Sequence, residues 1–497
     1  MKLSWVIKSE TYKKGMLLSV IFNGIAKFIL FILTIYIARL FGTNIKTDIY
    51  FFIYSVVLLF AAFINTIDTA VLIPESMRLR EAAGQDAAMS FLNYFIRLYF
   101  FIGIFFILIV TLFGTKIFSS ISRFAVSDII TYKNYFILGA FYFFFQVLIN
   151  YINAILVSLK YFTVPMIISG INSLIIIAGS FLLQNKYDML SVLISGLIAY
   201  TINLIFLLYL LKKKAGWIFL IANKNITKNI WDKIFFAQLG QAATLASSYF
   251  PLFLLSGFGN GVISIMNYGK NIADIPNTLI TAQVAAVSGI KLNEQAAAND
   301  YSSMNDTFIR SSKLLLFILV PLGCFMFVFA QPIVEFFYKT KNFTPEAING
   351  AAKFLQLLSV TIFSIGVNAM VSRIFIAAQK IKQAFAYQLL MNGLLITAIW
   401  ILSKYYGAYG YPYGVILINC INFAAMYFIC KNFFAQLQYG YLLQYATAII
   451  LIHLSITGLL FYTLASADLF YFYKLLLGFC IYLLVVIVMS RIKKISV

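Results

Sequence analysis

Long apolar segments follow one another along almost the whole chain, and this feature limits the fold more than any other. Each segment has about 20 residues or more, enough for a helix to cross the hydrocarbon core of a bilayer. Helices are required there because lipid offers no hydrogen-bond partner to an open backbone. We predict an all-α polytopic membrane protein with about fourteen transmembrane helices, at 16–40, 49–74, 91–114, 133–157, 162–183, 189–211, 236–256, 264–289, 312–336, 352–377, 384–403, 411–430, 442–465 and 468–490.

Composition and charge agree with this prediction. The chain is 62% hydrophobic and 11% charged, whereas soluble domains carry about 25% charged residues. A formal net charge of +21 suggests nucleic-acid binding, but most Lys and Arg lie on one side of the predicted topology, as the positive-inside rule describes for cytoplasmic loops. Topology therefore accounts for the charge. We predict an even number of spans with both termini in the cytoplasm, and no nucleic-acid partner.

The longest polar interruption, from Lys212 to about Lys233, divides the first twelve helices into two sets of six. A short internal echo supports this division, since RLFGTNIKTDIY around Phe41 resembles SGFGNGVISIMNY around Phe258. Two lobes related by a pseudo-two-fold axis along the membrane normal would enclose a cavity between them. We predict an N-terminal lobe with helices 1–6 at 1–211, a cytoplasmic linker at 212–235, a C-terminal lobe with helices 7–12 at 236–431, and helices 13 and 14 with a basic tail at 432–497.

Three basic residues lie deep within the predicted spans, where a charge is unfavourable unless it faces a cavity or a partner. Lys27 is near the middle of predicted helix 1, too far from either end to reach the interface easily, so we predict that it faces a cavity. Arg97 and Lys270 lie about two turns inside predicted helices 3 and 8. Either can reach a lipid headgroup or a central cavity.

Acidic residues in the spans are further candidates. Asp68, in the inner third of predicted helix 2, would be neutral unless a cation or cavity water stabilises its charge, which leaves pairing with Lys27 and binding of a coupling ion as alternatives. Asp48 lies near the outer end of the same helix. Lys270 and Asp274 are four residues apart on one helix face, where they can pair.

Amide side chains form a smaller set. Gln238 and Gln241 share one face of predicted helix 7. Such residues either line a polar cavity or form hydrogen bonds to a neighbouring helix. The sequence leaves these two alternatives open.

Residues typical of enzymes are missing from the sequence. The chain has one histidine, His453, and its four cysteines show no ligand-like spacing with it. No GxxxxGK[ST] phosphate-binding loop occurs. Hydrolytic, metal-dependent and ATP-driven mechanisms have no visible machinery, so we predict neither an enzyme nor a bound cofactor.

Several stretches resemble a known family of transporters. GVISIMNYGKNIADIPNTLI at 261–280, together with 313–360 and 371–385, resembles the second lobe of the lipid II flippase (MurJ/MviN) family. IARLFGTNIKTDIYFF at 37–52, followed by a second helix that ends near Pro74, is similar to the first lobe. The resemblance implies a fourteen-helix fold of the superfamily that also holds Wzx-type polysaccharide flippases and MATE drug exporters.

The resemblance also assigns individual positions. Lys27 stands where the family has a cavity arginine, Asp48 matches an acidic residue at the start of helix 2, and Asp274 matches an acidic position in helix 8. The sequence departs from the family elsewhere. Leu33 and Thr34 replace an Arg-Asp pair, a helix 2 arginine is replaced near Phe60, an acidic residue near Asn65, and a helix 8 arginine by Asn271.

These observations predict a transporter for a lipid-linked sugar. An anionic pyrophosphate on a polyprenyl carrier cannot cross lipid unaided, whereas a cavity with a few cations offers it charge pairing. We expect Lys27 to contact the pyrophosphate, with Lys270 and Arg97 as secondary contacts. The residues expected to line the cavity or couple an ion are Asp48, Asp68, Asp274, Asn65, Asn271, Gln238 and Gln241.

The family departures favour an undecaprenyl-pyrophosphate-linked surface-polysaccharide unit of O-antigen type, carried from the cytoplasmic to the outer leaflet by alternating access. Lipid II in peptidoglycan synthesis is the alternative substrate. A cation-coupled MATE-like drug exporter is a second alternative, disfavoured because basic residues exceed acidic ones at depth. A scaffold or receptor that binds a lipid-linked glycan without moving it is a third.

The resemblance implies a multi-pass protein of the bacterial cytoplasmic (inner) membrane. Its partners would be a polyprenyl-pyrophosphate-linked glycan, membrane lipid and enzymes of envelope glycan synthesis. Transport would draw on Na⁺ or H⁺ coupling or on the membrane potential. Potential alone is a sufficient source in principle, because moving one charge through 100 mV is worth about 2.3 kcal/mol.

Overall fold

The computed structural model describes residues 12–221, 227–434, 437–465 and 471–490, and within these ranges it contains helices and no strand. Two short π-helical segments, at Asp68–Leu72 and Asn277–Thr281, and a 3₁₀ turn at Gly407–Tyr409 join consecutive helices. The α-helices are α1 Tyr12–Phe41, α2 Ile45–Ile67, α3 Ile73–Ala83, α4 Gln85–Ile121, α5 Val126–Thr131, α6 Lys133–Ser158, α7 Val164–Tyr187, α8 Leu190–Lys214, α9 Lys228–Leu255, α10 Val262–Pro276, α11 Ala282–Ala297, α12 Tyr301–Val328, α13 Ala330–Tyr338, α14 Pro345–Ser359, α15 Ile362–Ala377, α16 Ile381–Tyr406, α17 Gly410–Phe433, α18 Tyr439–Ala465 and α19 Tyr471–Ser490.

The predicted all-α polytopic fold is confirmed, and in the described residues each of the fourteen predicted segments lies on one or two helices. Nine spans of the described part are long and apolar enough to cross a membrane, or ten if the bent pair α14 and α15 counts as one. Helices α9, α10 and α11 fall outside this set because amide, hydroxyl and charged side chains interrupt their apolar runs.

Two predicted spans are broken rather than continuous. The span predicted at 312–336 is interrupted at Phe329, where α12 ends and α13 begins. The span predicted at 352–377 bends by 41° between α14 and α15. Pro332 has no N–H to bond the carbonyl of Val328, the last residue of α12, so the sequence does signal the first break. No proline lies between α14 and α15.

A proline lies next to each π-helical segment, since Pro74 follows the first and Pro276 precedes the second. Pro74 has no N–H to continue the regular i→i−4 ladder out of the first segment. In the first segment the N–H of Ile73 bonds to the carbonyl of Asp68, five residues back. Because the two segments occupy corresponding helices of the predicted repeat, they support the internal echo that the sequence shows.

Contacts divide the chain into two compact units, 1–264 and 265–497. In the first unit α6 packs against α2, α4 and α8, while α7 packs against α1 and α8. A Cβ on Gly139 of α6 would lie only 2.4 Å from Ile53 Cγ2, which shows how closely α6 approaches α2. Fully buried aromatic side chains, among them Phe52, Phe95 and Tyr151, fill this unit.

α9 packs along α2 and so belongs to the first unit. The boundary between the two units therefore lies after α9, whereas the predicted linker lies before it. The linker at 212–235 between two six-helix lobes stays a prediction. Part of that linker, 222–226, lies outside the described residues, as do 1–11 and 491–497, which hold both termini.

In the second unit α12 is central and packs against α14, α15 and α18. Its buried core includes Phe308, Leu315 and Leu319 of α12, together with Leu442 and Ala446 of α18. α19 contacts α13 and α18. The two C-terminal helices therefore pack on the second unit.

Gly269 marks the closest approach of α10 to α14. A Cβ on Gly269 would lie 2.5 Å from the carbonyl oxygen of Ala351 and 2.8 Å from Phe354 Cβ. We expect Gly269→Ala to lower the free energy of unfolding by about 1–3 kcal/mol, because overpacking displaces backbone. The thermal unfolding midpoint in detergent measures this loss. Gly393→Ala is the matched control, since a Cβ there meets nothing within 4 Å; equal midpoints for the two variants would refute the packing argument.

Candidate functional site

Lys27 projects from α1 into open space. Its side chain is exposed, and no hydrogen-bond or ion-pair partner is found for it within the described ranges. A Cβ on Gly24, one turn earlier on the same face, would meet nothing within 4 Å. An unpaired ammonium group at mid-span is unfavourable in lipid, so this open face is suited to a water-filled cavity or an anion. The geometry thus supports the predicted cavity role.

Asp48 is fully buried, with 0% of its surface exposed, and its two oxygens accept backbone hydrogen bonds. Oδ2 accepts from the Gly261 N–H at 2.6 Å, and Oδ1 accepts from the Ser264 N–H at 2.7 Å. These amides belong to the start of α10, where helical N–H groups have no partner within the helix. Asp48 therefore acts as the N-cap of α10, supplied from α2.

The sequence repeat explains why α10 needs this cap. α2 is capped by its own Asn44, whose Oδ1 accepts from the Lys46 and Thr47 N–H groups. In the repeat that aligns Phe41 with Phe258, Gly261 stands at the position of Asn44 and has no side chain. The carboxylate of Asp48 replaces the missing cap and complements the positive end of the helix dipole.

Asp68 lies at the first residue of the π-helical segment and is also fully buried. The hydroxyl of Tyr99 on α4 donates to its Oδ1 at 2.8 Å. Its Oδ2 has no hydrogen-bond partner within the described part of the chain. The pairing with Lys27 that we considered is not present, because the Tyr99 hydroxyl occupies one carboxyl oxygen while Lys27 faces open space. Tyr99 was missed in the sequence, since one tyrosine in an aromatic-rich helix gives no signal.

Arg97 is held by the segment that follows α8. Its Nη2 donates to the carbonyl oxygens of Phe219 at 3.1 Å and Leu220 at 2.7 Å. Asn93, one turn earlier, donates to two further carbonyls of the same segment and accepts from Trp217 Nε1 at 2.7 Å. These bonds fix the start of the predicted linker on α4. Binding of pyrophosphate by Arg97 stays a prediction, and both recorded bonds use Nη2 of this exposed side chain.

Of the two amide residues of α9, Gln238 forms a hydrogen bond to a neighbouring helix, which is one of the two alternatives that the sequence leaves open. Gln238 Nε2 donates to the Phe63 carbonyl at 2.9 Å and lies 3.4 Å from Thr66 Oγ1. Gln238 Oε1 is buried without a partner among the described residues. Gln241 and Asn65 are half-buried. Gln238 therefore joins α9 to α2, and cavity lining by Gln241 and Asn65 stays a prediction.

The predicted pair on α10 is confirmed. Lys270 Nζ forms an ion pair with Asp274 Oδ2 within the second unit. Asn271, next to Lys270, is half-buried. The pair partly neutralises Lys270, so the residue is less available to an anion than Lys27.

Chemically, these groups can bind and position charge but show no catalytic set. No cluster of three or more His, Cys, Asp and Glu able to hold a metal ion occurs in the described ranges. Lys270 and Asp274 pair on α10, whereas Lys27, Arg97, Asp48 and Asp68 each have separate surroundings.

Comparison with known proteins decides the class. The sequence model of the family described as lipid II flippase MurJ matches residues 37–480. The chain belongs to this family. This match confirms the predicted resemblance. Members of the family are transporters and not enzymes. The match and the apolar helices indicate a multi-pass protein of the bacterial inner membrane. The matched range begins after Lys27, so the role of this residue rests on its geometry and on the resemblance of α1.

Individual relatives agree with this assignment. A curated protein of Bdellovibrio bacteriovorus, named probable lipid II flippase MurJ, is 21% identical over 228 residues. The match spans 46% of this chain and 43% of that protein, less than half of its length.

Solved structures show the same fold. A lipid II flippase MurJ in an inward closed conformation superposes with a TM-score of 0.76 at 18% identity, covering 96% of this chain and 99% of that one. An inward-facing MATE multidrug transporter gives 0.67 at 14% identity, covering 86% and 95%. At these identities the likeness shows the fold alone.

Proposed function

We propose that this MurJ-family chain moves lipid II from the cytoplasmic to the outer leaflet in peptidoglycan synthesis. The family match over 37–480 carries the proposal. It supports the alternative of the sequence analysis over the surface-polysaccharide unit that we favoured there. The fold likeness to MATE transporters gives no separate support to drug export.

The burial of two of the family departures weakens the argument that they make against lipid II. Leu33 and Thr34, which replace an Arg-Asp pair, are 4% and 8% exposed and lie within the packing of α1. The Thr34 hydroxyl bonds to the Leu30 carbonyl of its own helix at 3.1 Å. In this conformation neither position faces open space. Their change therefore alters helix packing and leaves the open face around Lys27 in place.

Lys27 is the best candidate for the pyrophosphate contact. A cation without a partner at mid-span can form charge-assisted hydrogen bonds with phosphate oxygens. Lys270 is paired with Asp274, and Arg97 donates to two carbonyls, so Lys27 is the cation with the fewest competing partners among these three. Alternating access then exposes the bound headgroup first to the cytoplasm and later to the outside.

Growth of a bacterium depleted of its own lipid II flippase tests the proposal. We expect the wild-type chain to restore growth and normal cell shape. Restoration of surface-polysaccharide export in a strain lacking that flippase, without rescue of the depleted strain, would contradict the proposal and favour the other substrate. We also propose that enzymes of envelope glycan synthesis are its partners and that both termini lie in the cytoplasm.

A further inference from the structure

Asp68 combines three features that together suggest a functional role. It carries an acidic group at 0% exposure, one carboxyl oxygen has no partner among the described residues, and the residue opens a π-helical segment. Single-turn π-helical segments occur frequently at functional sites. A buried carboxylate without a cation is far less favourable than the neutral acid. The geometry therefore indicates a carboxyl that carries a proton on Oδ2.

The second unit shows that a π-helical segment can begin with a neutral side chain. Asn277 is the first residue of the other π-helical segment, and its Oδ1 accepts from the Thr281 hydroxyl at 2.9 Å. Asparagine cannot titrate. A carboxyl group at the first residue is therefore not needed to form such a segment.

Titratable groups on neighbouring helices do not neutralise Asp68 as ions. Tyr99 of α4 donates its hydroxyl to Oδ1, and Tyr151 of α6 packs edge-on against Tyr99 and donates to the Leu92 carbonyl. These two residues leave Oδ2 without a donor or a countercharge.

The charged side chains on the helices around Asp68 either bond to other groups or lie toward the ends of their helices. Arg97 donates to backbone carbonyls, and Glu75 of α3 pairs with Arg78 and with Lys233 of α9. No ion pair with Asp68 occurs in the described ranges. The remaining charged groups lie toward the helix ends and are Arg80 and Glu81 of α3, Asp86 and Lys116 of α4, Lys133 of α6, and Lys228 and Asp232 of α9.

We propose that Asp68 is a proton-binding site that couples transport to proton entry. A hydronium ion on one side transfers a proton to Oδ2, so that one O–H bond forms on the carboxylate as one O–H bond of hydronium breaks and leaves water. After the conformational change the proton passes from Oδ2 to water on the other side, which restores the carboxylate and hydronium. In this conformation the site is closed to solvent, as coupling requires. We assign H⁺ rather than Na⁺ as the ligand, because one carboxyl oxygen is sufficient to hold a proton, and no group of three or more His, Cys, Asp and Glu able to hold a metal ion occurs in the described ranges. The coupling half of the proposal rests on the proposed function.

Infrared spectroscopy tests the site without any substrate. Purified full-length protein in lipid should show a protonated carboxyl C=O band that shifts in D₂O and decreases as the pH rises. Asp68→Asn should lack this band, whereas Asp188→Asn should retain it, because Asp188 is exposed and pairs with Lys46 at 2.5 Å. A band that persists in Asp68→Asn, or that Na⁺ abolishes at constant pH, would overturn the proton site.

Proteoliposomes test the coupling. One pH unit is about a tenfold change in proton activity, and we expect an inward proton gradient of this size to raise the wild-type and Asp188→Asn rates of lipid II movement. The Asp68→Asn rate should not respond to the gradient. An equal response of Asp68→Asn would overturn the coupling. If the wild type moves no lipid II at all, the proposed function fails, while the infrared result still decides whether Asp68 binds a proton.

Discussion

Lys27→Ala is expected to lower the rate of lipid II movement by about tenfold or more while leaving a protein that inserts and folds normally. The substitution removes an ammonium group that has no structural partner in the described residues, so little stability is lost with it. A hydrogen bond to a charged group contributes about 1.5–3 kcal/mol, which predicts a fall in transport of about tenfold or more. Initial rates in proteoliposomes and the unfolding midpoint of the same samples measure the two effects.

Matched variants make this prediction specific. Lys27→Arg keeps the charge and should retain much of the activity. Lys116→Ala removes an exposed lysine near the end of α4 and should leave transport unchanged. Full activity of Lys27→Ala, or equal losses in Lys27→Ala and Lys116→Ala, would remove Lys27 from the site.

Asp48→Ala is expected to cause the largest loss of stability among the site variants. It leaves the N–H groups of Gly261 and Ser264 buried without an acceptor, and each bond to a charged group contributes about 1.5–3 kcal/mol. We expect a loss of about 3 kcal/mol and a lower unfolding midpoint in detergent. Asp48→Asn keeps one acceptor oxygen and should lose less.

Asn44→Ala is the matched control for this cap. Asn44 is the N-cap of α2, and loss of an N-cap typically lowers the free energy of unfolding by about 1 kcal/mol. The expected order of midpoints is wild type, Asn44→Ala, then Asp48→Ala. A midpoint for Asp48→Ala at or above that of Asn44→Ala would show that the Asp48 bonds do not hold the start of α10.

Local features of this chain are predictable from its sequence. Most of the helical segments follow from apolar length, since nine or ten spans of the described residues are long and apolar enough to cross a membrane. The Lys270–Asp274 pair follows from a spacing of four residues on one helix, which fixes the distance between the side chains. Lys27 was placed at mid-span by counting residues from the helix ends, and its open environment agrees with that placement.

Partners across long sequence separations were not predictable. Asp48 bonds to residues 213 and 216 positions away, and Arg97 to carbonyls 122 and 123 positions away. No periodicity reports such contacts, because they depend on how helices pack. Burial was not predictable either: Leu33 and Thr34, which the resemblance marks as departures from charged positions, are both buried.

Movement of fluorescent lipid II across proteoliposomes tests the central claim most directly. The assay would follow the loss of label from the inner leaflet as a chemical quencher acts outside, with wild-type chain, Lys27→Ala and protein-free vesicles side by side. We predict movement with the wild type and a rate lower by about tenfold or more with Lys27→Ala. Movement of a polyprenyl-pyrophosphate-linked polysaccharide unit but not of lipid II would contradict the account.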